Sequence, residues 1–230
     1  MFRFNTIIGT NSAIILPEFN KFAVQFGEFG IRWYALAYIA GLLIGIYILR
    51  RETRSPHAVM TADQTDRLLN YLLIGIILGG RLGYVFFYNA AYYLENPFSI
   101  LHVWQGGMSF HGALIGVGLA LFAMAKRHNI AFLALSDRVA MVTPIGLFLG
   151  RLSNFINGEL WGKVSDVPWA FIVNGTPRHA SQLYEAFLEG LVLFIVLWTF
   201  ASKERPRMAV SAMFLLCYGI FRFGVEFVRI

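Results

Sequence analysis

Long apolar runs separated by short polar gaps dominate the chain. Six of these runs are candidate spans: Ile31–Leu49, Leu68–Tyr88, Phe110–Ala125, Val139–Ile156, Leu183–Ala201 and Met208–Val228. A helix needs about 20 mostly apolar residues to cross a bilayer. The third run is short at its apolar core and must borrow its ends. The runs are apolar nearly all round, so helical periodicity adds little, and no strand-type alternation competes with them. The pattern predicts an all-α integral membrane protein, a polytopic bundle of about six spans forming a single membrane-embedded domain over residues 1–230. Residues 1–30 are mixed and broken by Pro17 and Gly27, which reads as an interfacial arm before the first span. They lack the basic region, clean apolar core and small-residue site of a cleavable signal peptide. Residues 157–181, between spans four and five, are expected to form a small extracytoplasmic head, irregular or in short strands. There Pro168, Gly175 and Pro177 break helices, and Trp161 and Trp169 suit an interface.

The gaps assign sides. Arg50, Arg51, Arg54 and Arg67 follow span one; Lys126, Arg127 and Arg138 separate spans three and four; Lys203, Arg205 and Arg207 follow span five. The alternate gaps carry no Lys or Arg between Tyr88 and Phe110, and only Lys163 and Arg178 between spans four and five. Basic loops face the cytoplasm, so both termini of this six-span chain are expected outside.

Composition agrees: 57% of the 230 residues are hydrophobic and 14% charged, against roughly 25% charged in a soluble domain. This excludes a soluble enzyme. The net charge of +6 is scattered among the gaps, which argues against a nucleic-acid partner. One cysteine, Cys217, excludes a disulfide framework or a cysteine metal cluster. No two histidines sit at ligand spacing and Glu159 has no acidic companions, so no metal and no other cofactor is expected. Small-xxx-small spacings at Gly41/Gly45, Gly75/Gly79, Gly79/Gly83, Gly112/Gly116 and Gly146/Gly150 predict close helix packing. A weak internal echo links "LGGRLGYVFFYN" (Leu78–Asn89) to "FLGRLSNFING" (Phe148–Gly158).

The chemistry lies in residues a bilayer should reject. Arg81, Arg151 and Arg222 fall within spans, all in the halves expected to face outward. A charge there costs at least about 2.5–3.5 kcal/mol on insertion scales, so three of them point to a polar cavity open to the outer leaflet. Arginine grips phosphate in a planar fork and stays charged when desolvated. The natural guest is a phospholipid headgroup, with Asn154, Asn157, Ser153, Gln182 and Tyr184 near to hold glycerol hydroxyls. Glu226 follows Arg222 at i+4, a spacing that also suits an internal ion pair, and Glu185 and Glu189 form another i,i+4 pair read as structural. His111, flanked by Gly106, Gly107 and Gly112 at the start of span three, is the candidate proton acceptor. His179 is a second candidate; His102 reads as a loop residue, and His57 and His128 as cytoplasmic. The same arginines also suit a phospholipid transporter or scramblase, or a scaffold in which buried charges merely pair.

"GRLSNFINGELWG" resembles the GRxGNFxNxExxG signature of the bacterial prolipoprotein diacylglyceryl transferases, and "GGMSFHG", "RHASQLYE" and "YGIFRFGVEF" are similar to other segments of that family in the same order. The resemblance covers nearly the whole chain. It implies a bacterial inner-membrane enzyme that moves the diacylglyceryl group of phosphatidylglycerol onto the lipobox cysteine of a prolipoprotein signal peptide, among membrane lipids, with a thioether formed and glycerol phosphate released. It also implies that His111 is the family's essential histidine, Arg151 and Asn154 its signature arginine and asparagine, and Arg222 its second essential arginine. Tyr34, Glu159, Gly162, His179, Tyr218 and Glu226 match further family positions; Arg81, Asn157 and Gln182 join them as expected substrate contacts. Ser153 stands where the family has glycine, and the chain ends at "EFVRI", where the family pattern implies one more span.

Overall fold

The computed structural model describes residues 13–15, 19–20, 22–26, 29–55 and 58–230. Pro17, Gly27 and His57, and most of the N-terminal arm, lie outside the described residues. Among those described, six helices are long and apolar enough to cross a membrane: α1 (Trp33–Glu52), α2 (Ala62–Tyr88), α4 (Phe110–His128), α5 (Phe132–Asn157), α6 (Ser181–Ala201) and α7 (Ala209–Glu226). A short helix, α3 (Ala90–Glu95), follows α2.

Each helix matches an apolar run, but several extend past it. The apolar pattern places the start of span two at Leu68; α2 begins at Ala62 because Thr61 and Gln64 form a reciprocal capping box. Such a box satisfies orphan amides of the first turn without any apolar residue. The short third run gains length in the same way. Ser109 Oγ accepts from the Gly112 amide at 3.1 Å, and Lys126, Arg127 and His128 form the last turn, where cations favour the helix dipole.

The chain divides into two compact units, residues 1–45 with 139–230, and residues 46–138. In the second unit α2 and α4 pack backbone to backbone. A Cβ on Gly75 would stand 2.7 Å from the Gly116 carbonyl, and one on Gly83 would run into the Gly112 Cα. Glycines permit this approach, and van der Waals contact then holds helices that lipid does not drive together.

In the first unit α1 and α5 meet at Gly41 and Gly146, and α6 and α7 complete the helical part. Between α5 and α6 the chain forms strands β4 (Phe171–Val173) and β5 (Thr176–Arg178), paired antiparallel. Asn174 and Gly175, at φ 50° and 76°, supply the two left-handed positions of the tight turn between them. The described part of the arm contains short strands. β1 (Ile14–Ile15) adds parallel to β4, and β2 (Phe22–Phe26) pairs antiparallel with β3 (Phe29–Arg32) just before α1. Strands this short carry too few residues for alternation to show.

Burial is inverted relative to a soluble protein. Phe86, Phe87, Leu114, Leu119, Leu215, Leu216 and Phe223 are exposed, whereas Arg81, Gln182, Glu185 and Glu189 are buried. A hydrocarbon solvent favours this partition.

Candidate active site

In the first unit three helices converge on one charged cluster. α5 supplies Arg151, α6 supplies Glu185 and Glu189, and α7 supplies Arg222 and Glu226. Arg151 Nη2 lies 2.7 Å from Glu185 Oε2 and 3.8 Å from Glu189 Oε2. Arg222 Nη1 lies 3.5 Å from the same Glu185 oxygen and 4.0 Å from Glu189 Oε1, while its Nη2 pairs with Glu226 at 3.0 Å. Arg229, just beyond α7, reaches Glu185 Oε1 at 3.8 Å. Glu185 and Glu189 are fully buried, and Glu226 is 59% exposed. Arg222 Nη1 and the oxygens of Glu185 and Glu189 are held by charge but lack hydrogen-bond geometry to any described residue. A buried charge keeps its ionised form only when paired, and removing one partner of such a pair costs about 3–5 kcal/mol.

Beside this cluster a polar chain fastens the end of α5. Asn154 Nδ2 donates to the Tyr34 hydroxyl and, at 3.3 Å, to Glu159 Oε2. Gln182 Nε2 donates to the Glu159 carbonyl, and Ser181 Oγ donates to the Leu160 carbonyl at 2.8 Å. Asn157 Oδ1 and Gln182 Oε1 are buried without a hydrogen-bond partner among the described residues. Ser153 does not disturb this turn. It sits within α5 and its hydroxyl donates to the Leu149 carbonyl at 3.1 Å, a local back-bond that helices tolerate.

Several expected substrate contacts have structural partners here. Gly162 is a packing position: a Cβ there would strike the Val228 carbonyl and stand 2.9 Å from His179 Cβ. Its amide donates to the His179 carbonyl at 2.9 Å, and Lys163 N donates to the Val228 carbonyl at 2.8 Å, which ties the segment after α5 to the end of α7. His179 Nδ1 lies 3.1 Å from the Tyr184 hydroxyl, which also accepts from Trp169 Nε1 at 2.8 Å. Tyr218 stacks on Phe214.

The second unit holds Arg81 and His111. Arg81, expected at the headgroup, spends all its donors elsewhere. Its Nε, Nη1 and Nη2 donate to the carbonyls of Ile100, Gly106, Gly107, Ser99 and His102, and its guanidinium lies over Tyr93 at 5.3 Å. With 4% exposure it is the anchor of the 96–107 loop. The sequence echo between the two arginine segments therefore does not extend to their chemistry: Arg81 meets carbonyls, Arg151 carboxylates. His111 is exposed in the first turn of α4, its ring edge-on to Phe110 at 5.7 Å.

The i,i+4 spacing of Glu185 and Glu189 reads as structural pairing, and the structure pairs both with Arg151 and Arg222, the two in-span arginines of the candidate site, and Glu185 also with Arg229, which the sequence does not mark. The signal was present: two carboxylates one turn apart inside "LYEAFLEGLVLF" demand a partner in a bilayer.

A family model described as prolipoprotein diacylglyceryl transferase matches residues 21–230. A phosphatidylglycerol–prolipoprotein diacylglyceryl transferase of Nitratidesulfovibrio vulgaris (strain DP4) is 47% identical over 219 residues, which cover 94% of this chain and 83% of the relative. Proteins of the same name from Methylococcus capsulatus and Pseudomonas aeruginosa are each 50% identical, over 93% of this chain and 83% and 82% of their own lengths. With Arg151 of "GRLSNFINGELWG" in the charged cluster, Asn154 in the polar chain beside it, and a match of this extent, the chain belongs to the prolipoprotein diacylglyceryl transferase family.

Proposed function

We propose that the Arg151–Arg222 cluster is where this multi-pass membrane enzyme handles the phosphate of its lipid substrate. The enzyme transfers a diacylglyceryl group from phosphatidylglycerol to a prolipoprotein. The acceptor is the thiol of a lipobox cysteine, presented among membrane lipids by the signal peptide. Sulfur attacks the glyceryl carbon, the C–S bond forms, and the electron pair of the C–O bond leaves with glycerol phosphate. Charge grows on that phosphate as the bond breaks, so guanidiniums aimed at it bind the transition state better than the ground state. A thiol of pKa about 8.5 is mostly protonated at neutral pH; His111 takes its proton. Tyr34, Asn154, Glu159 and Gln182 order the turn beside the headgroup, with Asn157, His179 and Tyr218 near it. Gly162 permits the close packing behind it, and Glu226 orients Arg222. The membrane is the bacterial inner membrane, the N-terminus lies outside, and the site faces the outer leaflet. The transporter reading of the same arginines finds no support in the relatives compared, which are named as transferases.

The observation that carries this reading is the convergence of Arg151 and Arg222, from helices far apart in sequence, on one Glu185 oxygen. The test is Arg151→Lys, which keeps the charge and loses the fork. Transfer to a lipobox peptide in phosphatidylglycerol vesicles is expected to fall at least about tenfold, the rate cost of about 1.4 kcal/mol of transition-state binding, with the thermal unfolding midpoint preserved. Normal turnover would remove Arg151 from the phosphate.

A further inference from the structure

The carboxylates are the unexpected part of the cluster. A phosphate site wants positive charge, yet Glu185 and Glu189 bury two carboxyl groups among the guanidiniums. Their placement is specific. One oxygen of Glu185 lies between the two arginines, at 2.7 Å and 3.5 Å. Glu189 turns one oxygen toward each arginine, at 3.8 Å and 4.0 Å. Two guanidiniums this close repel, and a shared carboxylate holds them at one spacing. Residues Ala186–Val192 are π-helical, a rare widening that recurs at functional sites. Within it, Gly190 lies against Phe148 of α5, close enough that a Cβ would stand 2.8 Å from the Phe148 Cα. Glu189, the neighbour of Gly190, lies 3.8 Å from Arg151 of that helix.

We propose that Glu185 and Glu189 are positioning residues that set both the spacing and the net charge of the arginine pair, so that the phosphate product is stabilised as it forms and then released. The inference rests on the phosphate-handling reading above. A phosphatidylglycerol phosphodiester carries one negative charge, whereas a phosphate monoester carries about −1.5 to −2 at neutral pH. Uncompensated arginines would hold the product harder than the substrate, and turnover would stall on release. Two buried carboxylates beside the guanidiniums offset part of that attraction. They act through Arg151 and Arg222 rather than on the reacting atoms.

The experiment compares the full native chain with Glu185→Gln, Glu189→Gln and Glu226→Gln in phosphatidylglycerol vesicles, measuring kcat with a lipobox peptide and the Ki of added glycerol phosphate. Glutamine keeps the shape and removes the charge. Both buried variants are expected to lose kcat about tenfold while binding glycerol phosphate about tenfold more tightly, a fraction of the attraction a unit charge exerts over such distances. Glu226→Gln, at a solvent-exposed carboxylate, is expected to change Ki less. Disordering of the site would weaken product binding together with rate, so an unchanged or raised Ki in both buried variants overturns the proposal. Should either glutamine variant fail to accumulate in the membrane, Glu189→Asp keeps the charge and shortens its reach; native Ki with reduced kcat is expected, and tighter product binding would overturn the idea. If glycerol phosphate does not inhibit the native chain at all, the phosphate reading of the arginines is what fails.

Discussion

Arg81 and Arg151 show how little a residue's type says about its job. Both are arginines in spans, in similar local sequence, yet one is saturated by five loop carbonyls and the other faces two buried carboxylates. A guanidinium whose donors are all used has none left for a phosphate. His111 belongs to the same scale. It is exposed at the start of α4, and a base needs that accessibility. His111→Gln keeps size and some hydrogen bonding but accepts no proton. It is expected to fold, bind phospholipid and lose transfer by about 10²–10⁴-fold at neutral pH. Raising the pH increases the thiolate fraction, because more of a thiol with pKa about 8.5 ionises without help. Rates measured from neutral to alkaline pH are therefore expected to recover in His111→Gln and not in Arg151→Lys. Normal neutral-pH turnover of His111→Gln would move the base to His179 or Tyr34.

At the scale of elements, the α2–α4 crossing and the π-helical stretch of α6 are both cases of backbone brought where side chains would not fit. The small-xxx-small spacing made the α2–α4 contact legible in advance, since glycines four apart share a face. Gly116→Val would drive a side chain into the Gly75 carbonyl, whereas Gly118 has open space around its Cβ position. Overpacking of this kind costs about 1–3 kcal/mol or more. Thermal unfolding in detergent is expected to show a clear drop in Tm for Gly116→Val and none for Gly118→Ala. Equal midpoints would mean that the two helices separate without cost. The π-helical stretch had no such signature, because its widened turn is set by what α6 packs against and not by local propensity.

For the whole molecule, the Lys and Arg bias of the gaps predicts sides, which helices alone do not. The hairpin turn at Asn174 is the most direct probe, because it lies in the segment expected outside. A single cysteine at Asn174, in a chain with Cys217→Ser, is expected to react with a membrane-impermeant maleimide added to intact spheroplasts. Labelling only after the cytoplasmic side is opened would invert the topology and with it the proposed placement of the site.

The sequence by itself determined the number of span-length helices, their approximate extents, the close glycine contacts of α2 with α4 and the family, because apolar length, small-residue spacing and the "GRLSNFINGELWG" motif are local properties; the same spacing at Gly146/Gly150 did not make a close contact at Gly150, which has open space around its Cβ position. It located spans better than helices: the polar turn at Ala62–Arg67 is helical through capping, which an apolar count does not see. Arg151, Asn154 and Arg222 were legible as candidates, since a bilayer makes each polar side chain conspicuous. Only the tertiary structure decided their partners. Whether a buried charge meets a carbonyl, a carboxylate or a ligand depends on which helices converge, and Glu185 and Glu189 join the arginines in one cluster only because α5 and α7 are brought against α6.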